Sequence, residues 1–72
     1  MSYVEEVANE LAAKALEDEA RTGDDKIVAR VGEILGASSQ TLQESYLTAV
    51  RVRRAEERAR SLLAERAASH QG

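Results

Sequence analysis

The chain has no cysteine, proline, phenylalanine or tryptophan, and only one histidine, two tyrosines and four glycines in 72 residues. Without cysteine there is neither a disulfide nor a thiolate metal site, and a small chain lacking that staple is expected in a reducing, cytoplasmic compartment. Without proline nothing breaks a helix from within, and the residues that remain are rich in Ala, Leu, Glu and Arg, all strong helix formers. The one imidazole, His70, lies beyond the last helical pattern, so no general base is set against a serine, threonine or lysine nucleophile. The acidic pairs Glu5–Glu6, Asp24–Asp25 and Glu56–Glu57 are sequence neighbours, which on a helix point ~100° apart and do not share a site. There is no glycine-rich phosphate loop and no metal-ligand spacing. The expectation is a non-enzymatic protein with no cofactor and no metal. No apolar run approaches the ~18 residues of a membrane span, and no basic-then-apolar leader pattern opens the chain, so no membrane partner is expected.

What is present is helical punctuation. Ser2 and Glu5 have the spacing of a capping box. Val4, Val7, Ala8, Leu11, Ala12, Ala15 and Leu16 then recur at helical spacing until Thr22 and Gly23. Asp24 or Asp25 caps a second apolar segment in which Ile27, Val28, Val31, Ile34 and Leu35 are expected to face inward, and Gly36 is expected to end it. Ser38 or Ser39 caps a third helix. The reading is one all-α domain over residues 1–72, with helices at 2–22, 25–35 and 38–66 and a frayed tail at 67–72. At ~1.5 Å per residue, a helix over 38–66 is ~43 Å long and overhangs any globule that 72 residues can form. Thirteen of the hydrophobic residues are Ala, and Val, Ile and Leu together number fifteen. So small a core needs a further staple, and oligomerisation is the one left. Along the third helix Leu42, Tyr46 and Ala49 form one apolar line. Val52, Ala55, Ala59, Leu62 and Leu63 form another, turned by about 100°. The first line is expected to pack on the chain's own helices and the second to form a homodimer interface within a larger helical bundle.

The charge is divided. Residues 1–25 carry eight acids and two bases, and residues 26–72 carry eight bases and five acids. Val28 to Leu47, VARVGEILGASSQTLQESYL, resembles the helix-turn-helix of bacterial DNA-binding proteins, with Gly32 as the small residue between helices and Gly36 as the turn glycine. Val31, Leu35, Ala37 and Leu42 match its packing aliphatics, and Ser38 its cap. The last packing position departs from the pattern, falling on Ser45 with Tyr46 beside it. The resemblance implies binding of double-stranded DNA through the start of the third helix. Ser39, Gln40 and Gln43 would meet the groove, with Arg51 and Arg54 following along a polar stripe that runs through Glu44 and Leu47 to Arg58. Gln is suited to adenine edges and Arg to phosphate or guanine. The leading expectation is therefore a small DNA-binding regulator. The alternative is an adaptor or oligomerisation module whose acidic first helix and basic third helix select a protein partner.

Overall fold

The computed structural model describes residues 2–69 as three helices: α1 (Tyr3–Thr22), α2 (Ile27–Ser38) and α3 (Gln40–Ser69). The capping box forms as expected, since the Ser2 hydroxyl accepts from the Glu5 amide at 3.2 Å and the Glu5 carboxylate accepts from the Ser2 amide at 3.5 Å. Gly23 closes α1 in the left-handed region at φ 78°, donating its N–H to Glu19 O at 2.8 Å, a geometry that disfavours any residue with a Cβ. In the link to α2 the Asp24 carboxylate accepts from the Lys26 amide at 2.9 Å. That contact holds a turn at residues 25 and 26, so α2 begins at Ile27 rather than at residue 25.

The end of α2 also differs from expectation. The helix runs through Gly36 to Ser38, and Gly36 does not adopt positive φ. A Cβ at Gly36 would lie 2.5 Å from the Gln43 side-chain nitrogen, so this glycine makes room for a side chain of α3 instead of opening a turn. Ser39 alone separates the two helices, in extended conformation at φ −153°, ψ 103°, and its hydroxyl caps α3 by accepting from the Leu42 amide at 3.1 Å. Thus Ser39, rather than Ser38, is the cap. At the other end α3 continues as helix through Ala67 and Ala68 to Ser69, while residues 70–72 of the expected tail, His70 among them, lie outside the described residues.

The core is small, and half of its buried hydrophobic residues are alanine. Ala8, Ala12 and Ala15 of α1 meet Val28 and Gly32 of α2 and Tyr46 and Val50 of α3, with Leu11, Leu16, Leu35, Leu42 and Leu47 packed half-buried around them. Short alanine side chains let α1 approach closely, and the volume is filled by Tyr46, the largest side chain buried completely. Its ring lies 3.5 Å from where a Gly32 Cβ would be, and its hydroxyl donates to Val28 O at 2.7 Å. Gln43 adds a second latch by donating from Nε2 to Gly32 O at 2.9 Å. Val28 thus pairs with Tyr46 and Gly32 with Gln43, an order that runs α2 antiparallel to α3. Ile34 is not part of this core. It is 72 % exposed, because the face of α2 that meets α3 is the one carrying Val28 and Gly32.

Candidate functional site

With three helices placed, the residues of α3 sort by what they touch. Three members of the expected stripe are engaged inside the fold, Leu47 among them as a half-buried packing residue. Gln43 is half-buried against α2, and Arg54 bonds to the Glu19 carboxylate of α1 at 3.3 Å. Ser39 is half-buried as a helix cap. Gln40 and Arg51 are exposed, as are Glu44 and Arg58, and these four fall within about 40° of one another around the helix axis. Sequence reasoning did not anticipate Arg53, which donates to the Asn9 side chain at 2.8 and 3.2 Å and with Arg54 ties α3 to α1 at two heights. A polar residue on a face that otherwise packs was the available signal.

The five residues assigned to an oligomer interface share a different environment. Val52 is 60 % exposed, Leu62 56 % and Leu63 66 %, and Ala55 and Ala59 are exposed with them. From Ala55 to Ser69 every residue of α3 is exposed. Between the end of α1 and this part of α3 lies an open groove of about 690 Å³, lined by Leu16, Ala20, Arg60, Ser61 and Ala64. The molecule is correspondingly long and thin, 53 × 29 × 13 Å.

The structure also shows how the exposed residues line up. Thr48, Val52, Ala55, Ala59, Leu62 and Arg66 follow one another in steps of four, three, four, three and four along α3. That spacing keeps a single line on a helix and is the 3.5-residue repeat of a coiled-coil seam. The line lies on the side of α3 away from Tyr46 and Val50, about 160° from them around the helix axis. Arg51 and Arg58 border the seam on one side, and Glu56 and Leu63 border it on the other.

Among the described residues no three His, Cys, Asp or Glu side chains converge as a metal site requires, and no helix is long and apolar enough to cross a membrane. Burial pushes the Tyr46 phenol above its ordinary 10.0, Arg54 opposing this and Glu19 adding to it. Comparison of the chain with protein-family models, curated proteins and solved structures finds no match.

Proposed function

We propose that this chain is a small non-enzymatic helical module whose work is protein association, and that it associates first with itself, as a homodimer through Val52, Ala55, Ala59, Leu62 and Leu63. One observation carries the reading. The last fifteen residues of α3 continue as helix although none of them is buried. An isolated helix of that length is marginal in water, and in proteins helices persist chiefly because an amphipathic face is packed. Leu62 and Leu63 with Ala55 and Ala59 along that stretch, continued upstream by Val52, supply such a face, and a second chain would cover it. Size exclusion with light scattering should give twice the 7.8 kDa chain mass at micromolar concentration. Replacing Ala59 and Leu62 with Asp should give a monomer that retains α1 and α2, because a carboxylate in an apolar seam is costly. A monomeric parent chain over the same range would refute the proposal.

A second reading is supported by the exposed line of Gln40, Arg51 and Arg58, which suits contact with double-stranded DNA in the manner of a transcription regulator. It now rests on fewer side chains, since Gln43 and Arg54 hold the fold. Affinity for labelled duplex would then fall with salt at a slope near ~0.9 per phosphate contacted, and Arg51→Ala should remove about one contact. Absence of binding at low salt would discard it.

A further inference from the structure

We infer that the two copies pair in parallel and in register along α3, and that Arg51 and Glu56 set this orientation. The inference rests on the dimer reading above and adds to it the geometry of the pair.

The argument is one of charge placement. In a two-stranded parallel coil, the residue just before the first seam position of each heptad, here Val52 and Ala59, faces on the other helix the residue five places further along. Arg51 precedes the seam residue Val52, and five places on stands Glu56. Two-fold symmetry makes this contact twice. Both groups have bonding capacity to spare. Arg51 is exposed and makes no ion pair among the described residues. Glu56 accepts from Arg60 through Oε2 at 2.9 Å, and its Oε1 has no partner among the described residues. The second copy's Arg51 fits that oxygen. One turn-pair further, Arg58 faces Leu63 of the second copy, where the arginine stem covers the leucine and the guanidinium stays in water.

The antiparallel alternative places charge less well. Its register that pairs Val52 with Leu62 and Ala55 with Ala59 does set Arg51 against Glu65 of the second copy. It also brings Arg58 against Arg58 and Glu56 against Glu56 at the two-fold axis, in the middle of the seam. The parallel pair has a single like-charge contact, Arg66 with Arg66, at the seam's end where long side chains diverge into solvent. The core of α1 and α2 packs on the Tyr46 and Val50 face of α3, and at the upstream end of the seam the second helix would enter the open groove that Thr48, Val52 and Glu56 share with Glu5 and Asn9 of α1.

The chain contains no native cysteine, so an introduced one reports without interference. Under mild oxidation Leu62→Cys should cross-link to itself in high yield. An equimolar mixture of Leu62→Cys and Val52→Cys should give almost no mixed disulfide by intact mass. Independently, Arg51→Glu should weaken the dimer roughly tenfold, replacing two attractions with two repulsions. Adding Glu56→Arg to that variant should restore most of the loss. Rescue by Glu65→Arg instead, together with a mixed 52–62 disulfide, would overturn the parallel orientation and leave the dimer standing. A trimer or tetramer by light scattering would overturn the two-stranded pairing. A monomer at all concentrations would remove the dimer reading and this inference together.

Discussion

Tyr46 and Gln43 show how few groups fix the relation between α2 and α3. The Tyr46 hydroxyl is the polar end of the one large side chain wholly inside, and it donates to a carbonyl of α2. Tyr46→Phe should cost about 1 kcal/mol in chemical denaturation, the net worth of a typical internal hydrogen bond. The same group gives a pH dependence of defined sign. Its folded pKa lies above 10.0, so the folded state holds a proton that the unfolded chain releases at ordinary tyrosine pH. Stability from this group is complete below pH 10 and falls as pH rises through the folded pKa. Alkaline melts should show that decline in the parent chain and a smaller one in Tyr46→Phe. Gln43 and Gly36 form a coupled pair. Gly36→Ala gains up to ~1 kcal/mol of helix propensity but displaces the Gln43 amide, and loss of its hydrogen bond costs about the same. The single change should be nearly neutral, whereas in a Gln43→Ala background it should stabilise by ~1 kcal/mol; a double-mutant cycle measures the difference.

The helices themselves were the most legible part of the sequence. Caps at Ser2 and Gly23, the alanine face of α1 and the apolar line through Tyr46 are local patterns with local causes, and each forms where its residues stand. Gly36 was misleading because glycine is read as a helix end from the backbone alone, whereas its reason here is a side chain seven residues onward. The roles of Gln43 and Arg54 were hidden for the same reason. A polar residue on a helix reads as solvent-facing until the packing angle brings a carbonyl or a carboxylate within reach. Ile34 was misplaced because it stands only ~40° around the axis from Arg30, at the edge of the exposed side that Arg30 and Glu33 mark. Gly23 offers a clean test at this scale. No heavy atom lies within 4 Å of where its Cβ would be, so Gly23→Ala should cost ~1–2 kcal/mol from backbone conformation alone. Gly23→Asn should cost less in a thermal melt. The Arg54–Glu19 bridge is partly exposed, at 40 % and 28 % of the two side chains. Arg54→Ala should therefore destabilise by no more than ~1 kcal/mol, and by less in high salt.

At the scale of the whole molecule, α3 changes character near Arg54, packed on one face before it and exposed all round from Ala55 onward. Upstream its core face is committed to α1 and α2, and downstream its opposite face is open. Nothing in the tertiary fold therefore fixes the length of α3 beyond that point; what matters there is rotational phase. One alanine inserted after Glu57 should leave the melting of the folded head unchanged, since no packed residue follows it. It should nonetheless halve the mass seen by light scattering, because Ala59 and Leu62 would be turned ~100° away from Val52 and Ala55. Seven inserted residues, two full turns, should restore the dimer despite being the larger change. If the proposed dimer forms, the downstream half of α3 can change in length only in whole heptads, as a screw thread accepts added length only in whole pitches.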